Sequence, residues 1–187
     1  MHKKFGSVVK LWANWVCVLL CLVVSGCATM SADECRVANW SDVGLRDGLA
    51  GSALSKLDDR AKDCAEAKVA LDTPRYLQGR EQGLQQFCRI ENAVPLGLNG
   101  KNYSGVCPVA MDAEFRRRFR LGRDVYDARA ALSSLEGNIN NAEERLRTAA
   151  TDDDRRRARE ALRDLDLDIR RARDRLRDAE RALDRLR

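Results

Sequence analysis

The stretch "LRDLDLDIRRARDRLRDAERALDRL", residues 162–186, repeats an apolar residue every three or four positions between charged residues. This spacing places the apolar residues on one face of an α-helix, as in a coiled coil. The stretch therefore predicts a long amphipathic helix that buries its stripe against another helix. The stripe consists of Leu162, Leu165, Ile169, Ala172, Leu176, Ala179, Leu183 and Leu186.

A second stripe with the same spacing precedes it. Between the two stripes lies Thr151–Asp154, a polar and acidic segment suited to beginning a helix. Folding the chain there places large side chains opposite small ones, for example Leu162 opposite Ala142. We predict an antiparallel helical hairpin with arms of about 112–150 and 153–187. The first stripe consists of Leu121, Val125, Ala128, Leu132, Leu135, Ile139, Ala142, Leu146 and Ala149.

The hairpin is not the only way to bury the last stripe. A parallel homodimer through the tail would place Asp168 near Arg173 of the other copy, but it would leave alanines opposite themselves. Unfilled positions in a seam cost more free energy than exposed charge pairs contribute, which favours the hairpin. Gly137, in the middle of the first arm, should weaken that helix by about 1 kcal/mol relative to alanine.

The beginning of the chain has the features of a secretory signal. Positive residues are followed by the uncharged run Leu11–Val24, which is shorter than the roughly 20 residues that span a membrane. Small residues then precede Cys27, which is typical of a lipoprotein signal peptide covering 1–26. We expect acyl chains such as palmitate on Cys27, and Ala28 after it favours the outer membrane with the protein facing the periplasm. An ordinary signal peptide or an uncleaved anchor is the alternative.

Removal of residues 1–26 changes the composition. The net charge falls from +5 to +2, since Lys3, Lys4 and Lys10 are removed. The only histidine, His2, is removed as well, which excludes a histidine-based catalytic triad or metal site. The tail, residues 112–187, holds 21 arginines, 18 acidic residues and no aromatic residue after Tyr126, so it lacks a base-stacking surface. We expect no cofactor, no metal and no nucleic-acid partner.

Four cysteines besides Cys27 remain in the segment that follows: Cys35, Cys64, Cys88 and Cys107. In an oxidising compartment four cysteines predict two disulfides. A zinc site is the alternative, but no CxxC spacing is present. We therefore predict a tether over 27–34 and a disulfide-stapled helical domain over 35–111.

Glycines spaced four residues apart mark helix crossings in this domain. Gly44 and Gly48, like Gly79 and Gly83, lie on one face of a helix and allow two helices to approach closely. We predict helices near 42–51, 54–68 and 74–88, with N-caps at Ser41 and Thr73. An aromatic residue followed by Gly-Arg recurs at Tyr76–Arg80 and at Phe119–Arg123, with a looser copy beginning at Trp40.

The domain also resembles a known family over about residues 30–127. The likeness rests on the cysteines together with Trp40, Gly44, Asp47, Gly48, Tyr76, Gly79, Arg80, Gly83, Tyr103, Gly122 and Arg123. These residues are similar to a proteobacterial envelope lipoprotein family known as domain of unknown function 2799. The resemblance implies an envelope lipoprotein whose role is unassigned, and it adds no chemistry.

Of the three pairings that four cysteines allow, we favour Cys35–Cys64 and Cys88–Cys107. A hairpin of the first two helices would bring Cys35 towards Cys64. The glycine-rich loop that follows the third helix could return Cys107 to Cys88. Each loop closure should stabilise the domain by about 3 kcal/mol.

The residues leave three classes of function. The leading one is a non-catalytic lipoprotein that docks an envelope protein through the hairpin. The second binds an anionic envelope polymer, such as lipopolysaccharide or a peptidoglycan-associated polymer, through the runs Arg116–Arg118 and Arg155–Arg157. The third is an enzyme, for which Asp47 is the acidic candidate. We expect Asp47 instead to form a structural ion pair with Arg80 or Arg123, because no second acid or nucleophile is suitably spaced.

Overall fold

A computed structural model describes residues 30–186 of the chain. The predicted signal and Cys27 lie outside the described residues. Within them the chain forms α-helices, one 3-10 turn and no strands, which confirms the predicted mainly-α fold. The elements are α1 (Ala32–Val37), α2 (Trp40–Leu49), α3 (Ser55–Glu66), α4 (Thr73–Phe87), the 3-10 turn Ile90–Asn92, α5 (Ala93–Leu98), α6 (Val109–Thr148) and α7 (Asp152–Asp184).

The chain divides into two compact units. Of the described residues, unit 1 comprises 30–38 and 55–71, and unit 2 comprises 39–54 and 72–186. This division differs from the predicted boundary near residue 111. The reason is that α6 runs unbroken through that position, and its early turns carry Phe115, which is fully buried in the core of unit 2.

Unit 1 is held by the Cys35–Cys64 disulfide between α1 and α3, with the two Cα atoms 5.5 Å apart. Met30 is buried, and its backbone N–H donates a hydrogen bond to the Asp63 carboxylate at 3.2 Å. The predicted tether over 27–34 is therefore too long. Residues from Met30 onwards belong to the folded unit, because Ser31 and Glu34 form a capping box that begins α1.

Two predicted N-caps are displaced by one or two residues. The Asn39 side chain caps α2 by accepting from the backbone N–H of Ser41 at 3.1 Å. The Asp72 side chain caps α4 by accepting from the N–H of Arg75 at 3.1 Å. Asparagine and aspartate are among the strongest N-cap residues, so each takes the cap ahead of the hydroxyl that follows it.

The core of unit 2 surrounds the Cys88–Cys107 disulfide, whose Cα atoms are 5.6 Å apart. Its buried members come from α4, α5 and the start of α6, so three helices and the loop before α6 close on one apolar cluster. Partly buried residues, among them Tyr103 and Phe119, pack against it. The buried members are Leu84, Phe87, Cys88, Ala93, Cys107 and Phe115.

The two long helices form the predicted hairpin. Every residue of the two predicted stripes is buried or half-buried along α6 and α7. Thr151 caps α7 by accepting from the backbone N–H of Asp154 at 3.1 Å. Arg129 and Glu180 form an ion pair of 2.9 Å between the arms. Since the arms bury their stripes against each other, a homodimer through the same stripe would require the hairpin to open.

Among residues 30–186, none of the helices has the length and apolarity that a membrane crossing requires.

Candidate functional site

The helices α2 and α4 of unit 2 cross in close contact. A Cβ atom added at Gly44 would clash with the carbonyl oxygen of Tyr76, and one at Gly79 would clash with that of Ser41. Gly48 and Gly83 likewise face the backbone of the opposite helix. The glycines of the two predicted motifs therefore meet each other, and the helices touch backbone to backbone.

A second crossing, between α5 and α6, repeats this arrangement. A Cβ added at Gly97 would clash with the carbonyl oxygen of Phe119, and one at Gly122 with that of Val94. Both crossings contain the sequence Gly-Leu-x-Gly, at 48–51 and at 97–100.

The last glycine of each Gly-Leu-x-Gly segment has a positive φ, of 63° at Gly51 and 67° at Gly100. In this left-handed conformation Gly51 lies against the ring of Phe87, and Gly100 lies against the ring of Tyr126. When the two crossings are aligned, Gly83 therefore corresponds to Gly122, and Phe87 corresponds to Tyr126. The Gly-Arg match seen in the sequence instead aligned Gly79 with Gly122, so the two alignments differ by one helical turn of α4.

The two arginines of the Gly-Arg motifs each brace the loop after a crossing. The Arg80 guanidinium donates to the carbonyl oxygen of Ser52, which follows Gly51, at 2.7 Å. The Arg123 guanidinium donates to the carbonyl oxygen of Lys101, which follows Gly100, at 3.3 Å. Although they occupy different helical turns, both arginines donate to the carbonyl oxygen of the residue that follows the left-handed glycine.

Asp47 is the buried acid at the first crossing, with 6% of its surface exposed. It accepts a hydrogen bond of 2.8 Å from the hydroxyl of Tyr76, which is fully buried. The guanidinium groups of Arg80 and Arg123, the partners expected for Asp47, donate to carbonyl oxygens of the two loops. At the equivalent positions the second crossing has Leu96 and Phe115, so the repeat itself does not require a polar pair.

Tyr103 connects the loop before α6 to the disulfide and to α6. Its hydroxyl donates to the Asp112 carboxylate and accepts from the backbone N–H of Cys107 at 3.2 Å. Its ring centroid lies 4.8 Å from that of Phe115, and Arg116 stacks over it at 5.3 Å.

The charge states in this cluster follow from its contacts. Burial, and next the hydrogen bond to Asp112, raises the pKa of Tyr103 to about 12. The hydrogen bonds from Tyr103 and Arg116 hold the pKa of Asp112 below its usual range. At neutral pH the cluster therefore contains a neutral phenol and an ionised carboxylate. It braces the loop, and it offers no activated nucleophile or general base.

Trp40, the remaining residue of the sequence signature, is buried at the start of α2. No group of three or more His, Cys, Asp and Glu side chains within residues 30–186 could hold a metal ion. Cys27 lies outside the described residues, so its acylation stays a prediction.

The arginines of the long helices are largely engaged by acidic residues of the same helix. Glu114 pairs with Arg117 and Arg118, whose hydrogen bonds lower its pKa to about 2. Along α7 the pairs include Arg155 with Asp152, and the pattern continues through Arg156, Arg157, Arg170, Arg171, Arg177 and Arg181. The outer faces of the hairpin are therefore mixed in charge.

These features define a class: small helical proteins stapled by disulfides, with two glycine-lined helix crossings. The chain belongs to the family described as "Protein of unknown function (DUF2799)", whose profile matches residues 39–124. It is 32% identical over 97 residues to "Uncharacterized protein YfiL" of Escherichia coli (strain K12). That alignment covers 50% of this chain and 75% of the relative. No solved structure matches the chain significantly.

The family match ends inside α6, so it contains both crossings and leaves most of the hairpin outside. Sequence reasoning missed the second crossing, although the repeated Gly-Leu-x-Gly could have revealed it. It also missed the role of Asp112, for which a Tyr and an Asp nine residues apart give no signal.

Proposed function

We propose that this protein is a non-catalytic lipoprotein of the outer membrane, facing the periplasm, that docks another envelope protein through the α6–α7 hairpin. The signal features and Cys27 support the location. The polar clusters described above are structural, and the mature chain would contain no histidine, which supports a role without catalysis.

The observation that carries the docking role is the construction of the hairpin. The arms bury their apolar stripes against each other, so the extension is self-contained and presents charged outer faces. With 33 residues at 1.5 Å per residue, α7 is about 50 Å long. A long, internally packed extension beyond the family match is suited to reaching a partner at a distance.

Binding of an anionic polymer has less support. Such binding needs guanidinium groups that can exchange a solvated state for phosphate or carboxylate contacts. All six arginines in the two predicted runs already pair with acidic side chains three or four residues away. A polymer would have to compete with these pairs, and its binding would weaken steeply with added salt.

The test is photo-crosslinking in living cells with the full-length protein. A photoreactive amino acid replaces Arg173, which is exposed on α7, and the matched control carries it at the exposed Gln85 of α4. We expect a discrete protein adduct from position 173 and none of the same mass from position 85. Adducts that are identical at both positions, or none from either, would contradict docking through the hairpin.

A further inference from the structure

We infer that unit 1 is a membrane-proximal module that lies directly on the lipid headgroup surface, with Met30 as the fixed point nearest the bilayer. This inference rests on the proposed acylation of Cys27. It places unit 1 at the membrane surface, which neither the family match nor the signal features do.

The chain between the acylated residue and the folded unit is very short. Only Ala28 and Thr29 separate Cys27 from Met30. Three residues, fully extended, span at most about 11 Å. An anchor of this length cannot place Met30 further from the headgroups than the width of one helix.

Met30 is fastened to unit 1 rather than to a flexible leader. Its side chain is 8% exposed, and its N–H is bonded to Asp63 of α3. The next residue, Ser31, begins α1 through the capping box with Glu34, and Cys35 is joined to Cys64. Within five residues of Met30 the chain is therefore connected to both helices of the unit, α1 and α3, so the anchor restrains both of them.

Unit 1 as a whole is nearly neutral. Residues 30–38 and 55–71 contain five basic and six acidic side chains. A net charge of −1 provides no electrostatic attraction to anionic lipid, so the covalent reach of the anchor determines the distance. The short distance should therefore persist at high salt, unlike binding through arginine faces.

Val37, at the end of α1, is a suitable reporter because 83% of its surface is exposed. A fluorescent amino acid is placed there by stop-codon suppression in the full acylated protein, which is reconstituted in vesicles whose headgroups carry a nitroxide quencher. A second variant inserts about thirty Gly/Ser residues after Thr29, which extends the mean reach of the anchor to roughly 30 Å.

We expect most of the fluorescence at position 37 to be quenched, at low and high salt alike, and to be recovered in the variant with the insertion. The same insertion placed after Ala150 should leave the quenching at position 37 unchanged. If acylated, vesicle-bound protein shows no more quenching at position 37 than the variant with the long insertion after Thr29, the inference is wrong. If the protein carries no acyl chains and does not bind vesicles, the proposed location fails instead.

Discussion

Single glycines determine how closely the helices of unit 2 approach. At Gly79 any side chain would meet the Ser41 carbonyl group, which is part of a helix backbone and cannot rotate away. At Gly137, in the exposed middle of α6, an added Cβ would meet nothing within 4 Å. Glycine is therefore required at position 79, whereas at position 137 it only lowers the stability of α6.

Gly79→Ala should destabilise the protein by about 3 kcal/mol, because overpacking against a rigid backbone forces the helices apart. Gly137→Ala should stabilise it by about 1 kcal/mol, since alanine has the higher helix propensity. Urea unfolding followed by circular dichroism measures both. Equal effects of the two substitutions would rule out the backbone contact at the crossing.

The buried hydrogen bond between Tyr76 and Asp47 makes a second prediction at this scale. Tyr76→Phe removes the hydroxyl donor and should cost about 1–2 kcal/mol. The double variant Tyr76→Phe/Asp47→Leu reproduces the apolar pair of the second crossing. It should be more stable than the sum of the two single substitutions predicts, because replacing both partners leaves no buried carboxylate to solvate.

A double-mutant cycle in urea tests this expectation, with Tyr126→Phe on the half-exposed tyrosine as the control for loss of a hydroxyl. Additive single and double effects would show that the Tyr76–Asp47 contact contributes no coupling energy.

At the scale of elements, the loop before α6 is fixed by Tyr103, and this gives an alkaline pH dependence. The folded protein holds the phenol proton to about pH 12, whereas the unfolded chain releases it near pH 10. This contribution to stability is therefore complete below pH 10 and is lost as the pH rises towards 12. The free energy of unfolding should fall more steeply between pH 10 and about 12 in the native protein than in Tyr103→Phe.

Asp112 gives the acidic counterpart. Its folded pKa is depressed, so its contribution is present above about pH 4 and is lost as the pH falls below that value. Urea unfolding of the native protein and Asp112→Asn across both pH ranges measures these dependences. Parallel curves for the native protein and Tyr103→Phe at alkaline pH would contradict the role assigned to the phenol.

The hairpin should depend on its apolar seam far more than on charge. Ile169 is 5% exposed within the seam, whereas Leu167, two residues earlier on the same helix, is 49% exposed. Ile169→Ala should cost about 2–4 kcal/mol. Leu167→Ala should change stability by less than about 0.5 kcal/mol.

Removing the cross-arm ion pair with Glu180→Gln should cost less than about 1 kcal/mol, since both side chains are exposed. Thermal unfolding of the three variants ranks these contributions. A larger loss from Glu180→Gln than from Ile169→Ala would reverse the interpretation.

The elements differ in how well the sequence predicts them. The stripes of α6 and α7 repeat over many turns, so periodicity alone identifies the helices, their facing sides and the turn at Thr151. The helices α1 and α5 have six residues each, too few to show a period, and tertiary contacts form them instead. Their existence depends on a disulfide in one case and on a glycine crossing in the other.

At the scale of the whole molecule, a rigid scaffold and an extension share one helix. The early turns of α6 belong to the core around Cys88–Cys107, and its later turns form an arm of the hairpin. Glycine spacing predicted the first crossing because each of its two helices contains a pair of glycines four residues apart. The candidate site could not be predicted as a whole. Its Tyr103 cluster depends on how the loop before α6 folds back onto that helix, and its second crossing depends on the packing of α5 against α6.

The most direct test of the account is the intact mass of the protein extracted from membranes, measured before and after reduction. The account predicts a chain that begins at Cys27 and carries acyl chains. Its mass should rise by four hydrogens when the two disulfides are reduced. Peptide mapping should then place the bridges at Cys35–Cys64 and Cys88–Cys107, and Cys27→Ser should remove the acyl mass. A chain that retains its first 26 residues, or one with free thiols at these four cysteines, would contradict it.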